Sequence, residues 1–248
     1  MLLALWSPKG GVGTSVLAAA VALATAREGR EGRDGREGER STGVRLADLA
    51  GDLPAVLGLG ADPVLGLGDW LAAGPEAPGE ALDRLMVEVA AGVGLLPFGT
   101  GAPDTRPDAR PEAGAALAVV LRDGTWPVVV DCGAGVDPAV RACAELADAT
   151  VAVLRPCYLA LRRAVHSPLL ASTGGVVVVE EPGRVLGTKE VTEVLDLPVI
   201  ARIPMREEIS RAVDAGVLTT RLPNALARPA RQLATRVGIL PARRGAAA

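Results

Sequence analysis

The chain has 248 residues, of which 49% are hydrophobic and 2% aromatic, and its net charge is −3. This length suits one large α/β domain, and the slightly acidic balance disfavours a general polyanion-binding protein. No apolar run approaches the roughly 18 residues that span a bilayer. The three cysteines lack metal-ligand spacing. With no signal peptide visible, we expect a cytoplasmic protein.

A glycine-rich turn follows the first predicted strand. The apolar run 2–6 predicts a buried strand, and the Ala- and Val-rich stretch from Ser15 to about Arg27 predicts a helix. Backbone N–H groups converge in such a turn, and the helix dipole favours an anion. We therefore predict a phosphate-binding loop at 7–15. Its candidate nucleotide-binding residues are Lys9, Gly10, Gly11, Val12, Gly13, Thr14 and Ser15.

This loop departs from the standard pattern at one position. In G-x-x-x-x-G-K-[ST] the lysine contacts the β- and γ-phosphates and the hydroxyl contacts Mg²⁺. Here Thr14 stands where that lysine belongs, so Lys9 is the only cation in the loop. The Ser15 hydroxyl remains as a candidate metal ligand.

Strands and helices alternate along the rest of the chain. Residues 27–43 repeat glycine with mixed charges and predict a mobile surface loop, and we also expect a flexible tail at about 240–248. Further strands are expected at 44–47, 92–97, 127–130, 149–154, 176–179 and 198–201. Helices are expected near 52–58, 66–73, 79–90, 111–122, 138–146, 158–166, 187–195, 205–214 and 223–237.

This alternation, with nearly continuous apolar strands, predicts an α/β fold. We expect a three-layer sandwich in which helices cover both faces of a mostly parallel sheet. Ligands of such sheets bind outside the carboxyl ends of the strands. The phosphate loop, Asp48 and Asp131 all follow such ends, so they should meet in one crevice.

Asp131 ends the apolar strand 127–130 and resembles the aspartate of a Walker B strand. Mg²⁺ binds through one or two carboxylates and keeps several waters, so this position suits a metal ligand. Asp131 could instead cap the next helix. Asp137 is the better candidate for that cap because Pro138 follows it directly.

The segment Lys9-Gly10-Gly11-Val12-Gly13 resembles the deviant Walker A signature of the ParA/MinD superfamily of dimerising ATPases. The resemblance spans about residues 1–222 and implies the P-loop NTPase fold, ATP and Mg²⁺ as ligands, and a nucleotide-dependent homodimer. In this superfamily the early lysine, here Lys9, reaches the partner's nucleotide. Threonine in place of the second lysine resembles the CpaE/TadZ-like branch, which positions pilus machinery. Septum-site-determining-like proteins are also similar.

Two further positions depart from the superfamily. Asp48 matches the first aspartate of its Asp-x-Asp switch, which helps to organise the metal, but Ala50 replaces the water-positioning second aspartate. Asp52 could substitute only if the loop bends differently. Glu180-Glu181 stands where an asparagine usually reads adenine. These departures indicate slow or absent hydrolysis.

Two hypotheses about function follow. In the first, the chain is an ATP-binding localisation switch that positions pilus or secretion machinery or the septum, with recruitment to a pole or to the septum. In the second, it is a degenerate scaffold of the same fold that binds no nucleotide and acts only through protein interactions. Nonspecific DNA binding or membrane-surface binding has weaker support, because alanine and proline interrupt any apolar face of the basic tail.

Overall fold

The computed structural model describes residues 1–31, 43–101, 110–134 and 137–241. Within these ranges the strands are β1 (Leu2–Trp6), β2 (Val44–Asp48), β3 (Val87–Ala90), β4 (Val93–Leu96), β5 (Val128–Asp131), β6 (Ala149–Leu154), β7 (Thr173–Glu180) and β8 (Val199–Pro204). The helices are α1 (Thr14–Glu31), α2 (Leu53–Val56), α3 (Leu67–Ala73), α4 (Glu80–Leu85), α5 (Pro111–Asp123), α6 (Pro138–Glu145), α7 (Tyr158–Val165), α8 (Thr188–Leu195), α9 (Glu207–Asp214) and α10 (Asn224–Arg236). A short 3-10 helix covers Pro168–Ser172.

The eight strands form one sheet in the order β3-β4-β2-β5-β1-β6-β7-β8. Every neighbouring pair is parallel except β3–β4. The predicted α/β fold with a mostly parallel sheet is therefore confirmed. Strand β1 lies between β5 and β6, so the loop that follows β1 emerges where connections diverge to the two halves of the sheet.

Helices cover both faces of the sheet because strand side chains alternate between them. Leu3 and Leu5 of β1 pack into a core with α1, α2 and α10, whereas Leu2, Ala4 and Trp6 pack into a second core with α5, α6, α7 and α8. Small residues dominate α1, where Ala18, Ala19 and Ala20 are fully buried. Alanine lets this helix approach the sheet closely although aromatic residues are scarce.

Two sequence-based boundaries need correction. Helix α1 continues to Glu31, so the predicted loop does not begin at Arg27. The last turns are anchored because Arg27 donates to the Thr219 carbonyl and Arg231 pairs with Glu28. The rest of the predicted loop, 32–42, lies outside the described residues, as does the predicted tail from 242 onward.

The helix predicted at 79–90 is also only half correct. It ends at Leu85, and Val87–Ala90 forms an antiparallel hairpin with β4. The alternation Val-Glu-Val has the period of a strand, and Gly92 has the positive φ of 77° that a tight turn favours. These local signals override the helical pattern that precedes them.

The ends of α2 and α9 meet through two glycines. A Cβ atom on Gly58 would lie 2.1 Å from the carbonyl oxygen of Gly216, and Gly58 has a φ of +76°. This contact requires glycine at position 58 on both steric and conformational grounds.

We expect Gly58→Ala to lower the free energy of unfolding by about 2 kcal/mol or more, because the methyl group clashes with backbone and the φ is strained. Urea unfolding followed by circular dichroism measures the loss. Gly60→Ala is the matched control, since its Cβ would meet nothing within 4 Å. Equal stability of the two variants would contradict the close approach of α2 and α9.

Candidate functional site

The loop between β1 and α1 is held by the segment that follows β5. The Ser7 N–H donates to the Gly133 carbonyl at 2.8 Å, and the Ser7 hydroxyl donates to the Lys9 carbonyl at 2.8 Å. Gly11 and Gly13 have φ values of 72° and 91°. Because few other residues adopt these angles, the two glycines let the chain curl around the amino end of α1.

This loop forms one wall of a cavity of about 450 Å³. Six predicted nucleotide-binding residues line it: Gly10, Gly11, Val12, Gly13, Thr14 and Ser15. The other lining residues include Ser7, Gly133 and Ala134, together with Asp52, Ala55 and Val56 around α2 and Val213 and Asp214 of α9. A volume of this size is in the range of small-molecule sites. Lys9, Asp48 and Asp131 are not among its lining residues.

Asp131 lies just behind this cavity and is fully buried. Its Oδ1 accepts the Gly133 N–H at 2.9 Å, whereas its Oδ2 has no hydrogen-bond partner among the described residues. Burial raises the pKa of Asp131 to about 6, and interaction with the Ser15 hydroxyl and the Gly133 N–H opposes that rise. An unpartnered, buried carboxylate oxygen beside a hydroxyl is chemically suited to a hard cation such as Mg²⁺.

Asp48 is opposite Asp131 in the register between β2 and β5. Its Oδ1 accepts the N–H groups of Ala50 and Gly51 at 3.0 and 2.6 Å, and its Oδ2 accepts that of Leu53 at 3.0 Å. Burial raises the pKa of Asp48 to about 7, and the nearby charge of Asp131 adds to the effect. Both carboxylate oxygens therefore already have backbone donors. Of the three predicted metal residues, the structure places the two aspartates opposite each other, and of these two only Asp131 has a carboxylate oxygen without a hydrogen-bond partner among the described residues.

The segment after β2 bends so that Asp52, and not Ala50, reaches the cavity. The Ala50 methyl group faces Gly133, whose φ is +56° and whose own Cβ position would be 2.8 Å from the Ala50 Cβ. Asp52 is exposed and precedes α2 without capping it through its side chain. Sequence analysis named Asp52 only as a conditional substitute, because the bend of this loop was not visible in the pattern.

Lys9 lies near Glu181, which follows β7. Glu181 accepts from Arg184 at 2.6 Å and lies 3.6 Å from Arg155. The Arg184 hydrogen bond holds the pKa of Glu181 below its usual value, and the charges of Arg155 and Lys9 act in the same direction. The carbonyl of Glu180 accepts the Met205 N–H at 2.9 Å. The loops after β6, β7 and β8 thus lie together at the carboxyl edge of the sheet.

Sequence analysis missed the contribution of α9 to the cavity. Val213 and Asp214 line it because the contact between Gly58 and Gly216 draws the end of α9 towards α2. Gly216, which follows the C-cap residue Ala215 of α9, was the one available signal, but its partner Gly58 is far away in sequence. No local pattern reveals such a pairing.

No helix in the described ranges is long and apolar enough to cross a membrane. No group of three or more His, Cys, Asp or Glu side chains there is arranged to hold a metal ion. A metal at Asp131 would therefore need ligands other than a cluster of such protein side chains.

The fold matches solved ATPase structures at low sequence identity. A ParA family ATPase from Chlorobium tepidum is 22% identical, with a TM-score of 0.74 over 92% of this chain and 95% of that one. MinD from Aquifex aeolicus is 20% identical, with a TM-score of 0.74 over 97% and 98%. MinD from Pyrococcus horikoshii, solved with Mg-ADP, is 20% identical, with a TM-score of 0.74 over 95% of each chain. The chain has the ParA/MinD fold.

No family model matches the sequence, and no curated protein matches it. The ParA/MinD fold accounts for the position of the glycine loop at the end of β1 and for the two aspartates at the ends of β2 and β5. The departures at Thr14 and Ala50 are features of this chain's own sequence within that fold.

Because Asp48 and Asp131 are buried, we expect the free energy of unfolding to depend on pH in an unusual way. Their folded-state pKa values, about 7 for Asp48 and about 6 for Asp131, exceed the ordinary value of 3.8. The folded state therefore binds more protons than the unfolded state between these values, so stability falls as pH rises. Without nucleotide or Mg²⁺, we expect the free energy of unfolding to drop by about 2–4 kcal/mol between pH 5 and 8.

Asp131→Asn should make this drop clearly shallower, because it removes one titrating group and also the charge that raises the pKa of Asp48. Urea unfolding at several pH values measures the slope. Asp123→Asn, at an exposed site on α5, should keep the wild-type slope. A wild-type slope in Asp131→Asn would contradict this role of the buried pair.

Proposed function

We propose that the protein is an ATP-binding localisation switch with slow or absent hydrolysis. The observation that supports this function best is the cavity lined by Gly10–Ser15 at the amino end of α1. The N–H groups of the first helical turn have no partners within the helix, so they favour a phosphate there. We propose that the whole chain, 1–248, acts as one P-loop NTPase-like domain.

Mg²⁺ fits beside this cavity. Ser15 and Asp131 would hold it, with phosphate oxygens and waters completing its shell, and Asp131 has a free oxygen for this purpose. The ion would neutralise charge on the phosphates. Soft metals are not suited to this donor set, because hydroxyl and carboxylate oxygens prefer hard cations. The Mg-ADP complex of Pyrococcus horikoshii MinD supports the same ligand class for this fold.

Slow hydrolysis follows from two positions. Thr14 is neutral and buried where a lysine would contact the β- and γ-phosphates. Ala50 offers no acceptor to a water and points towards Gly133. Phosphoryl transfer depends on charge neutralisation and positioning, so both changes lower the rate more than they lower binding.

We further propose that ATP promotes a homodimer in which Lys9 of each subunit reaches the other's nucleotide. Lys9 does not line the cavity of its own subunit, and it lies near Glu181 at the carboxyl edge of the sheet. This position supports an intermolecular role. The CpaE/TadZ-like resemblance at Thr14 favours the positioning of pilus or secretion proteins, and the MinD likeness favours division proteins at the septum. A cytoplasmic protein recruited to a pole or to the septum would serve either role.

Calorimetry with Mg²⁺ and ATP tests nucleotide binding directly. We expect wild-type protein to bind ATP and to hydrolyse it at less than about one turnover per second. Thr14→Lys should bind ATP about tenfold more tightly than wild type does. The reason is that one charge-assisted hydrogen bond to phosphate contributes roughly 1.5–3 kcal/mol before the cost of ordering the side chain.

Thr14→Ser is the matched control, since it keeps a neutral hydroxyl and should bind as wild type does. No heat of binding for wild type or for Thr14→Lys would favour the degenerate scaffold instead. Several turnovers per second by wild type would contradict the proposed slow hydrolysis.

Lys9→Ala should abolish ATP-dependent dimerisation, because it removes the cation that reaches the partner's phosphates. Light scattering coupled to size-exclusion chromatography, with and without Mg²⁺ and ATP, measures the mass. Lys189→Ala removes an exposed lysine on α8 and should dimerise as wild type does. ATP-dependent dimers of Lys9→Ala would rule out the role proposed for Lys9.

A further inference from the structure

Two carboxylates of the turn after β2 have opposite surroundings. Asp48 has no exposed surface, and its two oxygens accept three backbone N–H groups of the turn that leads into α2. It also borders a separate cavity of about 290 Å³, together with Phe98 and Thr100. The Asp48 carboxylate therefore stabilises the turn.

The Asp52 carboxylate does not stabilise the turn in this way. Asp52 precedes α2, yet its side chain does not cap the helix and forms no hydrogen bond or ion pair among the described residues, although its backbone carbonyl accepts the Val56 N–H. It lines the same cavity as Gly10–Ser15 and Gly133. A carboxylate next to an anion-binding loop would repel a bare phosphate, so it needs a cation or a water between itself and that phosphate.

A second, independent observation indicates where that cation would lie. The Oδ2 atom of Asp131 is buried and unpartnered, and Ser15 is beside it. Asp131 accepts the N–H of Gly133, and Gly133 lines the cavity together with Ser15 and Asp52. Ser15 of α1 and Asp52 of the turn before α2 thus line one cavity, and the buried carboxylate of Asp131 at the end of β5 lies behind it.

We infer that Asp52, and not Asp48, is the carboxylate of this turn that faces the Mg²⁺–phosphate site, where it accepts a hydrogen bond from a metal-bound water. Asp48 acts indirectly, because its three backbone hydrogen bonds shape the turn that places Asp52 at the cavity. Asp52 is thus a positioning residue. This inference rests on the proposed nucleotide-binding function.

The inference predicts opposite effects with and without metal. In the presence of Mg²⁺, Asp52→Asn should bind a non-hydrolysable ATP analogue about five- to tenfold more weakly, because the ordered water loses a charged acceptor. In EDTA the same variant should bind the analogue as tightly as wild type or more tightly, because a repelling charge is gone. Calorimetry under the two conditions measures both constants without any dependence on turnover.

Asp123→Asn is the matched control, since Asp123 is exposed on α5 and does not line this cavity, so it should leave the effect of Mg²⁺ on affinity unchanged. Asp48→Asn should lower the free energy of unfolding, and any loss of affinity should be the same in Mg²⁺ and in EDTA.

Three outcomes would overturn the inference. The first is a wild-type response to Mg²⁺ in Asp52→Asn, and the second is a selective loss of that response in Asp48→Asn. In both cases wild type still binds nucleotide, so the proposed function survives. The third is the absence of nucleotide binding by wild type itself, which would overturn the proposed function as well.

Discussion

The geometry of the site depends on two buried carboxylates that lie side by side at the ends of β2 and β5. Asp131 accepts the Gly133 N–H, and the Gly133 carbonyl accepts the Ser7 N–H, so the carboxylate fixes the start of the glycine-rich loop after β1 through two hydrogen bonds. Asp48 fixes the neighbouring turn in the same way. Both loops therefore take their shape from carboxyl groups that the sheet holds away from water.

This arrangement is costly in the absence of a ligand. Burying two ionisable groups next to each other disfavours their charged forms, which is why both pKa values lie well above 3.8. A divalent cation would offset the cost by pairing with the free oxygen of Asp131. Folding and ligand binding are then linked, since whatever stabilises the ionised pair also stabilises the fold.

The sequence was sufficient to predict the sheet and most of the helices, because buried parallel strands are continuous apolar runs. It also placed Gly10–Ser15 between the first strand and the first helix, where these residues line the cavity, because strand, glycines and helix follow one another without interruption. It failed at Val87–Ala90, where a strand follows a helix directly, and it did not find Val213 and Asp214. The assignment of Asp48 to the metal could not be checked from spacing, because hydrogen bonds within a turn depend on how that turn bends.

The alanine at position 50 makes Asp52 the carboxylate of this turn that lines the cavity. With Ala50 facing Gly133, the chain has no carboxylate where a two-residue spacing would place it. The bend imposed by Asp48 instead brings Asp52 to the cavity, closer to the start of α2. The Asp52 carboxylate lies two residues further along the chain than Ala50. It is on the wall of the cavity around α2, which the Gly58–Gly216 contact joins to α9, so it reaches a different part of the cavity. Under the proposed nucleotide-binding function, a carboxylate in this position is better suited to holding an ordered water than to rapid phosphoryl transfer.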